Sequence, residues 1–282
     1  MLAGVTVAMV ALPLSIAIAI ASGAEPAAGL VTAVVAGFLI SLLGGSRVQI
    51  GGPTGAFIVV VFAVIAEHGY DGLVLATLMA GVILLIAGAL RAGSLVAYAP
   101  EPVIDGFTIG IAAVIATSRL KDLLGLDIAA TPADFAPEIA ALFAARETLS
   151  LTAAGVGGAT IALLVLIRRV APAAPGPLIA VGLTSAAIAL FDWPAATILS
   201  TFGALPDGLP APTIPELSVV RMIELPPSAL VIAFLAGVET LLSAMVADRM
   251  TGGSHRPNAE VVAQGAANIG SALFGGLPAT GA

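Results

Sequence analysis

Gly51-Gly52-Pro53-Thr54-Gly55-Ala56 and, at the far end of the chain, Gly275-Gly276-Leu277-Pro278-Ala279-Thr280-Gly281-Ala282 are two copies of one phrase. Each belongs with a Gly-Gly break, Gly44-Gly45 before the first copy and Gly275-Gly276 within the second. The first copy opens an apolar run over residues 57–65 that is too short to cross a bilayer, since a full span needs about 20 residues. Short, interrupted apolar segments in matching places of two repeats mark transporter helices that break near the middle of the membrane. Proline lacks an N–H and fixes φ, so it suits the first turn of a helix, and glycine lets another group approach the backbone. Open N–H groups at such a helix start, with the helix dipole behind them, attract an anion. The pattern predicts a substrate site flanked by Thr54, Gly55 and Ala56 on one side and by Thr280, Gly281 and Ala282 on the other. A lone copy would be explained equally well by a kink at a packing contact. Two copies in inverted repeats favour the site.

The composition around these phrases is that of a polytopic all-α membrane protein. Charged residues make up 10% of the 282 residues and hydrophobic ones 59%, with a mean hydropathy of +1.13, whereas a soluble domain carries about 25% charged residues. Zero cysteines exclude disulfides, thiolate metal sites and cysteine nucleophiles together. The basic residues are scattered singly, apart from Arg168-Arg169, which speaks against nucleic acid as a partner. His68 and His255 are far apart in sequence and predict no metal site. With no nucleophile, metal cluster or cofactor loop, the chain does not read as an enzyme and calls for no cofactor. Met1-Leu2-Ala3-Gly4 carries no basic signal-peptide region, so the first span is expected to be structural. The abrupt start and the end inside the second phrase are read as a partial chain with its C-terminal part missing.

The apolar runs place span 1 over residues 2–21 and span 2 over 27–43, followed by a brief extended stretch at 48–50. A polar turn at 67–71 separates the half-helix from span 4 at 73–90. Span 5 covers 103–118, and the polar residues 119–148 are expected to form an exposed loop with short helical pieces. Spans 6 and 7 cover 149–167 and 177–190. A Pro-rich loop at 192–227 divides the repeats. Span 8 covers 229–246, span 9 covers 259–274, and the second phrase opens span 10. Alternating the spans puts Arg47, Arg91, Arg168, Arg169, Arg249 and Arg256 on one side, which is then cytoplasmic. Span 1 runs outward and span 8 inward, so the two halves are inverted.

Glu239 lies far from either end of span 8. A carboxylate at that depth costs about 2.5–3.5 kcal/mol, so it is expected to face a cavity and to carry a proton or help to bind Na⁺. Asp105 reads as an interfacial acid at the start of span 5 and Asp248-Arg249 as an interfacial pair, while Gln264 and Asn268 read as helix–helix hydrogen bonds.

Several stretches resemble one family, the SulP anion transporters, bacterial relatives of the sulfate permeases and of prestin. They are Ala11-Leu12-Pro13-Leu14, Gly44-Gly45-Ser46-Arg47, Gly52-Pro53-Thr54-Gly55-Ala56-Phe57, Pro102-Val103-Ile104-Asp105-Gly106-Phe107-Thr108, Leu120-Lys121-Asp122-Leu123-Leu124-Gly125 and Val246-Ala247-Asp248 leading to Thr251-Gly252. The resemblance implies an inverted-repeat fold of seven plus seven segments, a core moving against a gate, with two half-helices meeting at mid-membrane. On that pattern residues 1–91 are core spans 1–4, 92–191 gate spans 5–7, 192–227 an extracellular loop, and 228–282 core spans 8–9 with the start of 10. It implies a substrate lined by Leu14 and Ile18 of span 1, Thr54, Gly55, Glu239, Thr280 and Gly281, with Glu239 as the cation-coupling group. Many relatives carry a polar residue where Leu14 stands, and Ser15 is the nearest substitute. The family's Gly-Leu-Tyr reads Gly29-Leu30-Val31. The implied function is H⁺- or Na⁺-coupled symport of a dicarboxylate, bicarbonate or sulfate across a bacterial inner membrane, in a homodimer joined by a C-terminal STAS domain. A nucleobase:cation symporter of similar fold and a truncated, transport-incompetent fragment are the alternatives.

Overall fold

In lipid an apolar segment must satisfy its backbone internally, so runs of this length become helices. The computed structural model describes residues 2–94, 101–128, 135–171, 174–191, 193, 197, 199–200 and 208–281. Its helices are α1 (Leu2–Ala21), α2 (Pro26–Leu43), α3 (Ile58–Ala89), α4 (Glu101–Leu124), α5 (Phe135–Ala144), α6 (Leu151–Val170), α7 (Gly176–Phe191), α8 (Val219–Glu224), α9 (Pro226–Thr251) and α10 (Pro257–Leu273). Two short strands, β1 (Gly51–Gly52) and β2 (Thr280–Gly281), pair antiparallel. Among the described residues, α2, Gly55–Ala89, α6 and α9 are long and apolar enough to cross a membrane.

Proline sets the starts of three helices. Pro26, Pro226 and Pro257 each occupy the first turn, where the missing N–H costs no hydrogen bond. The same fact corrects one boundary. The Pro-rich stretch does not stay a loop to residue 227: α8 forms within it, and Pro226-Pro227 opens α9. A second boundary also moves. Residues 119–124, expected in an exposed loop, continue α4, because Arg119 pairs with Asp122 one turn away (3.7 Å) and Lys121 Nζ reaches Ile128 O (3.0 Å). The extended stretch expected at 48–50 falls at 51–52 instead. The polar turn at 67–71 narrows to a single break at Gly69, whose φ of 73° and ψ of 177° interrupt α3. Glycine alone takes this conformation without steric cost, so the half-helix reverses there into the following span.

The chain divides into two compact units, residues Met1–Ala11 with Gly110–Ala204, and Leu12–Ile109 with Leu205–Ala282. The dividing points lie within α1, within α4 and at residues 204–205. In the smaller unit α6 packs on α7, and Ser150 caps α6 by accepting from the Ala153 N–H. In the larger unit α3 is enclosed by α9 and α10, and α10 also packs on α2. Small residues allow this closeness. A Cβ on Gly81 of α3 would lie 2.8 Å from Gly265 O of α10, and one on Gly265 would lie 2.7 Å from Leu85 N, so the two backbones touch. Phe57, Leu73, Ile232 and Leu277 close the core around them, almost fully buried.

Candidate functional site

The two phrases meet in the larger unit. Gly51 pairs with Gly281 and Gly52 with Thr280 in an antiparallel bridge, an arrangement with a local two-fold axis, as inverted repeats require. Three residues of α9, spaced over little more than one turn, hold both copies. Thr54 Oγ1 donates to Glu239 Oε2 at 2.9 Å. Gly281 N–H donates to Thr240 Oγ1 at 2.9 Å, and the Thr240 and Thr280 hydroxyls lie 2.8 Å apart. Ser243 Oγ lies 3.0 Å from Gly281 O, and Gln49 Nε2 reaches Ser243 Oγ at 2.5 Å and Thr240 O at 2.8 Å. Positions 239, 240 and 243 lie on one face of a helix, so α9 presents a polar patch in the middle of an apolar segment.

The second phrase is anchored from behind by α2 and α10. Leu277 N–H donates to Thr32 Oγ1 at 2.6 Å, and Ser271 Oγ donates to Leu277 O at 2.6 Å. The Asn268 side chain exchanges two bonds with the Ala279 backbone: its Nδ2 donates to Ala279 O (2.9 Å) and its Oδ1 accepts from Ala279 N–H (3.0 Å). Asn268 thus acts as a strand partner for the phrase, rather than as the helix–helix bond expected of it. Tyr70, beside the Gly69 break, donates to Gly275 O at 2.7 Å. On the other side, the Glu260 carboxylate accepts the Ser46 N–H and fixes the loop that leads into the first phrase. Asn268→Ala would leave the Ala279 N–H and carbonyl buried without partners, at about 1–3 kcal/mol each. Purified Asn268→Ala protein is expected to melt several degrees below wild type, and an unchanged melting temperature would mean that the clasp is not formed.

Thr54, Gly55 and Ala56 are half-buried at a tight first turn, where Phe57 N–H returns to Thr54 O (3.2 Å). The N–H groups of Gly55 and Ala56 precede that bond and belong to the helix start, where no intrahelical acceptor exists. The second copy is different: Thr280 and Gly281 are buried, and the Gly281 N–H is given to Thr240. Ala282 lies outside the described residues. On α1, Ile18 is buried at 4% exposure, whereas Leu14 is 54% exposed and Ser15 is buried. Glu239 is half-buried against Thr54. The side chain of Asp105 is outside the described residues. Asp248 turns to His255, accepting from its backbone N–H (2.9 Å) and meeting its Nδ1 (2.6 Å), and so closes the turn after α9.

Sequence reasoning missed Gln49, Thr240, Ser243, Thr32, Ser271 and Glu260. One signal was available. Glu260, Gln264, Asn268 and Ser271 recur at steps of four, four and three along a helix whose other residues, Asn258 apart, are apolar, and all four are fully buried. Such a stripe points inward, at a polar interior rather than at water.

Residues 1–282 match the profile of the sulfate permease family. A putative sulfate transporter of Bacillus subtilis (strain 168), YvdB, is 44% identical over 283 residues, covering 100% of this chain and 53% of that protein. The bicarbonate transporter BicA of a Picosynechococcus species is 33% identical over 293 residues, covering 99% of this chain and 51% of that protein. Among solved structures, the transmembrane domain of a cyanobacterial bicarbonate transporter BicA superposes with a TM-score of 0.86 at 33% identity, over 99% of this chain and 72% of that one. The murine Solute Carrier 26 family member A9 anion transporter, in its inward-facing state, gives 0.83 at 16% identity over 100% of this chain and 51% of that one, a likeness of fold alone. The all-α, inverted-repeat transporter fold expected from the repeated phrase is the fold present. The chain spans about half the length of the curated relatives it matches.

Proposed function

The chain belongs to the sulfate permease family, and from that premise we propose that it carries the substrate site of a cation-coupled secondary transporter of small anions in a bacterial inner membrane. The observation that carries the reading is the Thr54–Glu239 hydrogen bond of 2.9 Å, which ties the first helix start to a carboxylate deep in a membrane-spanning segment. The N–H groups of Gly55 and Ala56 are the donors for the anion, joined by the Thr280 hydroxyl and, once a bound cation neutralises Glu239 and frees its hydrogen, by the Thr54 hydroxyl, and the helix dipole favours the anion's charge. Leu14 and Ile18 supply the apolar side of the site. Thr280 and Gly281 complete it from the second phrase when their bonds to Thr240 rearrange, together with Ala282.

Glu239 is the coupling group. Its negative charge opposes an anion nearby, and a proton or Na⁺ bound at its oxygens removes that opposition, so each ligand strengthens the binding of the other. Carboxylate and hydroxyl oxygens are suitable ligands for either cation. Movement of the core spans against the gate spans then exposes the loaded site to alternate sides. The motif resemblance points to a dicarboxylate, bicarbonate or sulfate, and the relatives named as sulfate and bicarbonate transporters support the last two. A nucleobase carrier gains no support, since the profile matched is that of sulfate permeases. A homodimer joined through a STAS domain belongs to the same proposal for the full-length protein.

The test is uptake of labelled sulfate, bicarbonate and fumarate by the full-length protein in proteoliposomes, with an imposed H⁺ or Na⁺ gradient. One of the three is expected to accumulate at least about fivefold over the level without a gradient, the lower end of ordinary coupling energies. Uptake of none of them under either gradient overturns the reading.

A further inference from the structure

Gln49 sits in the loop before the first phrase, yet its side chain belongs to the second. Its amide nitrogen has two hydrogens, and both go to α9, one to Thr240 O and one to Ser243 Oγ. Its Oε1 is buried and finds no partner among the described residues, so the side chain is held through nitrogen alone. The opposite amide orientation would set Oε1 against the Thr240 carbonyl, acceptor to acceptor.

This arrangement decides where the Ser243 hydrogen goes. Ser243 Oγ lies 3.0 Å from both Thr240 O and Gly281 O, and it has one proton to give. Thr240 O has two lone pairs, one used in the α-helical ladder and the other by Gln49. The Ser243 hydrogen is therefore left for Gly281 O. The same side chain lies flat on Gly281: a Cβ there would come within 2.4 Å of Gln49 Nε2, 2.5 Å of its Cδ and 2.9 Å of its Cγ. The glutamine fills the space that any other residue at 281 would claim.

We propose that Gln49 is a positioning residue for the anion site, holding the Gly281 carbonyl through Ser243 and by contact, and so fixing the backbone of the second phrase without touching the anion. The proposal rests on the transport reading above and deepens it. Losing this hold releases Thr280 and Gly281 from their alignment with Thr54, which weakens anion binding more than it slows the transport cycle.

The experiment uses full-length wild type, Gln49→Ala, Gln49→Glu, Gly281→Ala and the Gln49→Ala/Gly281→Ala double variant in proteoliposomes, with labelled sulfate, bicarbonate and fumarate as probes. Gln49→Ala is expected to raise KM up to about tenfold, the upper worth of one neutral hydrogen bond, with the maximal rate within about twofold. Gln49→Glu, which loses both N–H donors, is expected to be at least as impaired. Gly281→Ala is expected to lose most uptake, and the double variant to regain part of it, because removing the amide makes room for the methyl group. An unchanged KM in Gln49→Ala, or a double variant no better than Gly281→Ala, overturns the proposal. If wild type moves no anion, the transport reading has failed and the contact is read in melting temperatures. A double variant that melts above Gly281→Ala then supports the hold on the second phrase, and additive losses overturn it.

Discussion

Replacing Glu239 with glutamine is expected to leave a stable protein whose anion uptake no longer responds to the cation gradient. Glutamine keeps the shape of the side chain, and its amide oxygen can still accept from Thr54 Oγ1, which lies 2.9 Å from the native carboxylate. What disappears is the charge, together with its cost of about 2.5–3.5 kcal/mol in the middle of a span, so thermal stability is expected to hold or rise. The coupling free energy between cation and anion goes with it. Typical couplings of about 1–3 kcal/mol correspond to roughly 5- to 150-fold, so the ratio of uptake with and without the gradient is expected to fall from that range to about one. Glu239→Asp serves as the contrast. It keeps the charge but draws it back from Thr54, so it is expected to stay coupled with a raised KM. Uptake by Glu239→Gln that still follows the gradient as wild type does would remove Glu239 from the coupling role.

The second large effect is expected at the α3–α10 contact. Gly81→Leu or Gly265→Leu is expected to abolish recovery of folded, monodisperse protein from membranes. Overpacking a core ordinarily costs about 1–3 kcal/mol, because side chains can shift. Here the obstructing atoms include backbone on both sides, Gly265 O for one substitution and Leu85 N for the other. Neither can move unless the helices part, and parting them opens the core around Leu73 and Ile232. Gly81→Ala is expected to be the milder case, with a lowered melting temperature. Gly158→Ala in α6, where a Cβ meets nothing within 4 Å, is the control. It is expected to be neutral or to gain up to about 1 kcal/mol from helix propensity. Equal melting temperatures for Gly81→Ala and wild type would show that the helices are not in backbone contact.

The elements that were legible in the sequence are those whose signals are local. The repeated phrase, the break near Gly69 and the isolated charge of Glu239 each depend on a few neighbouring residues. The boundaries that moved did so for equally local reasons that polarity alone hides. Arg119 and Asp122 support one another within a helix instead of ending it, and Pro226-Pro227 starts a helix instead of breaking one. The site lattice was a different matter. Gln49 meets Ser243 across 194 positions, and Thr32 meets Leu277 across 245. Hydroxyl and amide groups of this kind look alike in sequence whether they serve a distant backbone or their own helix. Asn268 shows the difficulty: it could be seen to want a partner, but nothing in its neighbourhood named the Ala279 backbone as that partner.

The short ladder between β1 and β2 also sets an order of events during synthesis. A chain delivered to the membrane amino end first presents Gly51, Gly52 and the half-helix long before Thr280 and Gly281 exist. Thr54 waits across 185 positions for Glu239. Meanwhile the peptide groups at Gly51 and Gly52 have no strand beside them, and hydrocarbon does not tolerate bare peptide groups. The early half must therefore be kept in contact with water or sheltered by the insertion machinery until the later half arrives. Closure of the ladder then follows every early helix of this part of the protein, and a nascent chain halted before residue 280 holds those helices yet lacks the strand that pairs with Gly51 and Gly52.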